Sequence, residues 1–255
     1  MNRSIPATHS ARPARRFDTW LFTDIDGTFL GGDAADQRAL RDYLRAPDRR
    51  IGLVYCSGRS LQHVLPDIDN GVLLEPDAII GDVGTGLWDA RGAPLCPLTH
   101  RWIEARWGEG ARRVQQALVG IRGITPQIGT GPRRASYFYE HRDAAELAES
   151  AIAPLGYDTL VSGGRYLDVL PRGVNKGFAV RRLMELWSLR PDRVMTAGDT
   201  LNDLSMLRLP VQAVAVGNAD AELRAGLRDV PSVRHARAEG AGGILEALRA
   251  LRWID

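Results

Sequence analysis

TWLFTDIDGT, residues 19–28, is a short apolar run that ends in two acids and a glycine. This composition predicts a buried parallel strand over residues 19–25 that leads into a loop. Side chains at i and i+2 of an extended segment point the same way, so we expect Asp24 and Asp26 to lie together. Two adjacent anions repel unless a cation stabilises them, and Mg²⁺, a hard dication with oxygen ligands, does so. An ordinary Asp-Gly turn explains the stretch equally well when it is taken alone.

Buried strands of the same kind recur along the chain, and helices separate them. The strands are predicted over 51–56, 78–80, 194–197 and 211–216, and the helices over 34–46, 177–188 and 243–253. Residues 87–165 are richer in tryptophan and arginine, with helices predicted near 100–119 and over 143–153, and a half-exposed antiparallel strand over 134–140. A further strand is predicted over 166–170. We therefore predict an α/β parallel-sheet core, interrupted by an inserted α+β unit.

Polar segments follow the predicted strands, where an open parallel sheet places its chemistry. GDTLND (198–203) follows one buried strand and carries Asp199, Asn202 and Asp203. SGRS (57–60) follows another and offers a hydroxyl and backbone N–H groups at a predicted helix N-terminus, which suits an anion. Lys176, near the start of the helix over 177–188, is a compact charge suited to a phosphate oxygen and a nearby carboxylate.

Four ordered segments, DIDGT (24–28), SGRS (57–60), RGVNKG (172–177) and GDTLND (198–203), resemble the motifs of the haloacid-dehalogenase-like (HAD-like) phosphatase superfamily. The insertion, with SYFYE inside it, looks like a type IIB cap and is most similar to that of sucrose-phosphate phosphatases and related glycosyl-phosphate phosphatases. The resemblance implies a Rossmann-like parallel-sheet HAD core over residues 17–86 and 167–255, with a cap, or substrate-specificity domain, over residues 87–166.

The resemblance also implies the catalytic roles. Asp24 would be the nucleophile that forms an aspartyl-phosphate, and Asp26 would protonate the leaving sugar oxygen and then activate water. The Asp26 carbonyl and the carboxylates of Asp24 and Asp199 would bind Mg²⁺. Asp203 would either join them, hold Asp199 in place, or simply cap the following helix, and these alternatives stay open.

The same resemblance assigns the phosphate site. Ser57, the Gly58 amide and Lys176 would surround the phosphoryl oxygens, and Asn202 would reach the same group. Arg59 is either a substrate contact or, as preferred here, a solvated residue of the first helical turn.

Other residues have structural interpretations beside functional ones. Asp82 fits an ordinary turn, and His63 has no partner pattern. Tyr137 and Tyr139 share one face of a strand, and the resemblance places one face of the cap sheet over the active site. A sugar contact there remains open.

Charge and composition limit the partners. The chain has 255 residues, with 33 basic residues against 31 acidic ones. The first sixteen residues hold four arginines and no acid, which leaves 29 bases against 31 acids elsewhere. This basic stretch, residues 1–16, is predicted to be a disordered tail, and the balance in the rest argues against nucleic-acid binding. No apolar run is long enough to span a membrane, and two cysteines favour a reducing cytoplasm.

The sequence therefore predicts a cytoplasmic Mg²⁺-dependent phosphatase of a sugar or glycosyl phosphate, similar to sucrose 6-phosphate. A monomer or weak homo-oligomer is expected. One alternative is a phosphomutase of the same branch, which returns the phosphoryl group to sugar. Another is a non-catalytic module that binds phosphosugars on the same fold, although Asp24, Asp26, Lys176 and Asp199 are all intact.

Overall fold

The computed structural model describes residues 17–255, and the tail predicted to be disordered, residues 1–16, lies outside the described residues. The strands are β1 (Thr19–Thr23), β2 (Ile51–Cys56), β3 (Ala78–Gly81), β4 (Gly86–Trp88), β5 (Ile124–Pro126), β6 (Ala135–Tyr139), β7 (Asp158–Ser162), β8 (Tyr166–Leu170), β9 (Val194–Gly198), β10 (Gln212–Ala215) and β11 (Val233–His235). The helices are α1 (Ala34–Arg45), α2 (Leu61–Asp69), α3 (Pro97–Trp107), α4 (Gly110–Ala117), α5 (Arg142–Ile152), α6 (Lys176–Trp187), α7 (Leu204–Leu207), α8 (Ala221–Gly226) and α9 (Gly240–Ala250).

Two sheets organise these elements. The large sheet has the order β11-β10-β9-β1-β2-β3-β4 and is parallel except for the antiparallel pair of β3 and β4. The small sheet has the order β5-β6-β8-β7 and is antiparallel throughout. The predicted α/β core with an inserted α+β unit is confirmed. Within residues 17–255, none of the helices combines the length and apolar character that crossing a bilayer requires.

Hydrophobic side chains cover both faces of the large sheet, as expected for a parallel sheet between helices. Trp20 and Phe22 pack with α6 on one face, whereas Leu21 packs with α1 and α9 on the other. A third cluster lies between the small sheet and helices α4 and α5, and it contains Trp107 and Tyr137. The small sheet therefore has its own core.

One predicted helix needs correction. The helical stretch predicted near 100–119 is two helices, because Gly108 interrupts it with a φ of 51°. Strand β4 belongs to the large sheet and β8 to the small one. We propose residues 89–170 as the cap and use the term in that sense below.

We expect His100 to make the stability of the protein dependent on pH. It is buried in α3, where its Nε2 accepts a hydrogen bond from the Leu87 N–H at 2.8 Å. Burial, together with the charge of Arg133, lowers the pKa of His100 to about 4. Because this lies below the unfolded value of about 6.5, the contribution is complete above pH about 6.5 and is lost as the pH falls toward 4.

We expect the unfolding free energy to fall by about 2–3 kcal/mol through His100 between pH 7 and pH 4. His100→Gln keeps an acceptor for Leu87 but does not titrate, so its stability should vary less over this range. Urea unfolding of both proteins at several pH values measures the difference. Parallel pH curves for the two proteins would show that His100 makes no such contribution.

Candidate active site

The candidate site lies at the carboxyl ends of β1 and β9. The strand order reverses beside β1, which opens a crevice at the edge of the sheet. Asp24 follows β1, and its backbone N–H donates to the Ala197 carbonyl of β9 at 2.9 Å. Asp199 directly follows β9. Two acidic loops that are 175 residues apart in sequence therefore meet at one point, as the sequence predicted.

Three buried carboxylates and one buried ammonium form the centre of the site. The carboxylate oxygens that Asp24, Asp199 and Asp203 offer lie within 4.8 Å of one another. Lys176 is fully buried, and its Nζ donates to Asp24 Oδ1 and to Asp203 Oδ1, each at 2.6 Å. Burial alone would lower the pKa of Lys176, but Asp203 and Asp24 raise it above its ordinary value, so the ammonium stays charged.

The cluster has the donors and the charge that a hard dication requires. Burial raises the pKa of Asp24 well above its ordinary value, and burial together with the charge of Asp203 raises that of Asp199 to about 7. One ammonium does not balance three carboxylates. Asn202 Oδ1 is also buried and accepts no hydrogen bond from the described residues. These oxygen donors fit Mg²⁺, which would supply the missing positive charge.

A tight turn over Ile25–Phe29 brings β1 to Asp199. Gly27 has a φ of 77°, and a Cβ there would lie 2.1 Å from Asp199 Oδ2, so only glycine fits. The Thr28 hydroxyl donates to Asp199 Oδ1 at 2.7 Å, and the Asn218 amide donates to the Gly27 carbonyl at 2.9 Å. Thr28 and Asn218, which had no role assigned from sequence, hold this turn beside Asp199.

Asp203 uses both carboxylate oxygens within the protein. Its Oδ1 accepts a hydrogen bond from Lys176 Nζ. Its Oδ2 accepts hydrogen bonds from the backbone N–H groups of Asp199 at 3.0 Å and Thr200 at 3.1 Å. Of the three alternatives left open for Asp203, a side-chain cap on the following helix does not form, because Asp203 instead closes a capping box on the turn Leu201–Asp203. We propose that it holds Lys176 and the Asp199 loop in place.

Asp26 lies apart from the carboxylate cluster. The side chain of Asp24 is 7% exposed and that of Asp26 is 60% exposed. The expectation that the two carboxylates lie together was wrong, because β1 ends at Thr23 and the turn replaces the extended segment. Both residues nevertheless line the same cavity.

Arg59 is not the solvated residue that was preferred from sequence. Its Nε donates to Asp26 Oδ2 at 2.7 Å, and its Nη1 donates to Asp67 Oδ2 at 2.6 Å. Gly58 and Arg59 line the cavity, as does Asn202, so these predicted phosphate-site residues meet there. Ser57 is buried, and its Oγ accepts the Arg59 N–H at 3.0 Å.

The cavity lies between the core and the cap and has a volume of about 390 Å³. Its cap side is formed by the loop over residues 127–130 and by Arg134, Tyr166 and Asp168. None of the residues in this cap lining was a sequence candidate. His63 also lines the cavity, and its Nδ1 lies 2.9 Å from Ser60 Oγ, so it has a partner that the sequence did not reveal.

The face of the cap sheet that carries Tyr137 and Tyr139 is not the face that lines the cavity. Tyr137 and Tyr139 pack in or against the cap core. The opposite face carries Ser136 and Asp168, which are directly paired across β6 and β8. The period of two identifies both faces of a strand but does not say which one is buried. The structure therefore gives the two tyrosines no contact with the cavity.

Comparisons with known proteins found a family model and several relatives that match this chain. The model of the family described as sucrose-6F-phosphate phosphohydrolase matches residues 17–252. The chain is 43% identical over 232 residues to the glucosylglycerol-phosphate synthase of Pseudomonas anguilliseptica, with 89% of this chain covered but only 30% of that relative. It is 33% identical over 238 residues to the mannosylfructose-phosphate phosphatase of Agrobacterium fabrum, covering 90% of this chain and 95% of the relative.

Solved structures share the fold. The sucrose-phosphatase of Synechocystis sp. PCC6803, in complex with sucrose and phosphate, superposes with a TM-score of 0.82 at 24% identity, covering 94% of this chain and 100% of the other. A HAD subclass IIB sugar phosphatase has a TM-score of 0.64 at 16% identity, covering 92% and 100%. The predicted HAD-like fold with a type IIB cap is confirmed.

Proposed function

The chain belongs to the sucrose-6F-phosphate phosphohydrolase family of HAD-like phosphoric monoester hydrolases, and from this premise we propose that it is a Mg²⁺-dependent phosphatase of a glycosyl phosphate. The observation that carries the proposal is the buried Lys176, which bridges Asp24 and Asp203 beside Asp199. A charged lysine fixed between carboxylates, beside a cavity that Asp24 and Asp26 line, suits phosphoryl transfer.

In the proposed reaction, Asp24 attacks phosphorus, and the bond between phosphorus and the leaving sugar oxygen breaks. Asp26 gives that oxygen a proton, and the aspartyl-phosphate remains on Asp24. Asp26 then takes a proton from water as the water attacks phosphorus, which releases phosphate and restores Asp24. Before the attack, the Lys176 ammonium opposes the effect of burial on the pKa of Asp24 and orients its carboxylate.

The Asp24 and Asp199 carboxylates and the Asp26 carbonyl would hold Mg²⁺, with Asp203 supporting them. When bound, Mg²⁺ would offset the negative charge of the carboxylates and of the phosphoryl oxygens. Gly58, Arg59 and Asn202 would contact the phosphate or the adjoining part of the substrate, because they line the cavity.

We further propose that the substrate consists of two hydroxylated units joined by a glycosidic bond, one of them phosphorylated. The names of the relatives, glucosylglycerol-phosphate synthase and mannosylfructose-phosphate phosphatase, share that chemistry. The cavity of about 390 Å³ falls within the usual range for small-molecule sites, about 300–1,000 Å³. Polar side chains at its cap side, such as Gln127, Thr130 and Asp168, suit sugar hydroxyls.

The test is phosphate release from a panel of phosphate esters, with Mg²⁺ and after exhaustive chelation. The panel contains sucrose 6-phosphate, mannosylfructose phosphate, glucosylglycerol phosphate, mannosyl- and glucosylglycerate phosphates and simple hexose phosphates. We expect Mg²⁺-dependent turnover, with one of the glycosyl phosphates preferred over the hexose phosphates.

Other outcomes of the panel identify the alternatives. Activity that survives chelation would contradict the metal proposal. Phosphoryl transfer between sugar positions, with activation by a bisphosphate and little free phosphate, would indicate a phosphomutase. Binding of phosphosugars without any turnover would indicate a non-catalytic module.

We keep two further proposals, a cytoplasmic location and a monomer or weak homo-oligomer. Cys56 and Cys96 are both buried and form no disulfide, which agrees with a reducing compartment.

A further inference from the structure

Arg134 is a buried arginine that joins the cap to two loops of the core. It immediately precedes β6, and its side chain is 5% exposed. Its three guanidinium nitrogens donate to three different acceptors: Nε to Asp82 Oδ1 at 3.1 Å, Nη1 to Asp168 Oδ1 at 2.8 Å, and Nη2 to the Gly58 carbonyl at 2.8 Å. Gly58 and Asp82 belong to the core, whereas Asp168 belongs to the cap.

The two core acceptors belong to loops that are bonded to each other. The Asp82 N–H donates to the Arg59 carbonyl at 2.8 Å, and the Val83 N–H donates to the Ser57 carbonyl at 3.1 Å. The loop at residues 82–84 therefore supports the proposed phosphate-binding loop, residues 57–60. Arg134 contacts both of these loops.

The supporting loop has a backbone conformation that needs such contacts. Asp82 and Val83 have φ values of 52° and 56°, a region that residues other than glycine rarely adopt. Conformations of this kind persist only where the surroundings fix them. Here the Asp82 carboxylate is fixed by Arg134 and by the N–H of Gly131 at 2.9 Å, and both of these groups come from the cap.

The buried carboxylates of Asp82 and Asp168 also depend on the guanidinium of Arg134 for a neighbouring positive charge. Asp82 and Asp168 are both buried, and Arg134 is the cation that contacts them. Burial raises the pKa of Asp82, and Arg134 opposes that rise. A lysine would keep the charge but could not present the same planar set of donors to three acceptors.

We propose that Arg134 is a positioning residue that couples the seating of the cap on the core to the assembly of the phosphate-binding loop. The inference rests on the proposed phosphatase function. A cap that is lifted away from the core would withdraw Arg134 and Gly131 together, leaving the Asp82 carboxylate and the Gly58 carbonyl without these donors. The phosphate-binding loop is then complete only while the cap covers the substrate.

The test compares Arg134→Lys with Arg133→Lys. Arg133 is the neighbouring cap arginine, and it contacts Glu104 and the Thr85 carbonyl instead. Each protein is assayed with p-nitrophenyl phosphate, which has no sugar, and with the preferred sugar phosphate. The affinity of each protein for inorganic phosphate is measured by calorimetry.

We expect Arg134→Lys to lower kcat/KM by about 10²-fold for both substrates, because misplaced groups cost about that much. Its affinity for inorganic phosphate should fall about tenfold, and Arg133→Lys should match the wild type. An effect confined to KM for the sugar phosphate would identify Arg134 as a sugar contact and overturn the proposal. Unchanged kinetics with a lower Tm would also overturn it, since the role would then be structural only.

Asp82→Asn provides a second variant if Arg134→Lys does not fold. It weakens the same contact from the core side and should produce the same pattern with both substrates and with phosphate. If the wild type hydrolyses none of the esters, the proposed function fails. The phosphate affinities of the wild type and Arg134→Lys still decide the positioning role in that case, because equal affinities would contradict it.

Discussion

Asp24→Asn should abolish phosphate release, lowering kcat by a factor on the order of 10⁴ or more, because an amide cannot replace the attacking carboxylate. The fold should survive the change. Asparagine has the same shape, its carbonyl can still accept the Lys176 hydrogen bond, and the substitution removes one charge from a cluster that has too many anions. Phosphate release and thermal unfolding measure the two effects.

Trapping of the intermediate tests the nucleophile directly. After rapid acid quench with substrate labelled at phosphorus, the label should appear on the wild-type peptide that contains residue 24 and be absent from the variant. Asp229→Asn, a change of the same type at an exposed ion pair with Arg208, should behave as the wild type does. Near-normal turnover in Asp24→Asn would rule out the covalent mechanism.

Lys176→Arg should lower kcat/KM by at least about 10²-fold, although the charge is unchanged. The ammonium is fully buried and lies 2.6 Å from each of two carboxylate oxygens, so a longer, planar guanidinium cannot occupy its place. The surrounding backbone offers little room. A Cβ on the adjacent Gly177 would lie 2.2 Å from the Ser205 carbonyl oxygen.

The control is Arg181→Lys, which makes the reverse change at an exposed position of the same helix. It should leave kcat/KM unaltered. Because overpacking costs stability, typically about 1–3 kcal/mol, all proteins should be assayed well below the Tm of Lys176→Arg. Turnover close to that of the wild type would show that the site needs only a positive charge and not a compact one.

The overall charge count does not reveal that Lys176 lies at the centre of the site. Lys176 is the only lysine among 33 basic residues, and the rest are arginine. The net charge of +2 says nothing about the site, whereas the position of this one side chain identifies its centre. Sequence and structure agree here because Lys176 begins a helix that a clear apolar stripe predicts.

The sequence was less informative where side-chain direction decides the chemistry. Asp26 is two positions from Asp24 in sequence, yet a turn beginning at Ile25 leaves it exposed and paired with Arg59. Tyr137 and Tyr139 share a face as predicted, but that face packs on the cap core. A strand pattern has two faces, and only the packing of the whole sheet determines which one is buried.

The sequence by itself determined the fold and the class of reaction, because each core motif is a short local segment at the end of a strand or the start of a helix. Parallel strands bring their carboxyl ends to one edge, so local motifs are enough to predict where they meet. Only the tertiary structure decided the cap side of the cavity and the contacts of Arg134. That residue is 52 positions from Asp82 and 76 from Gly58, and contacts over such separations leave no local pattern in the sequence.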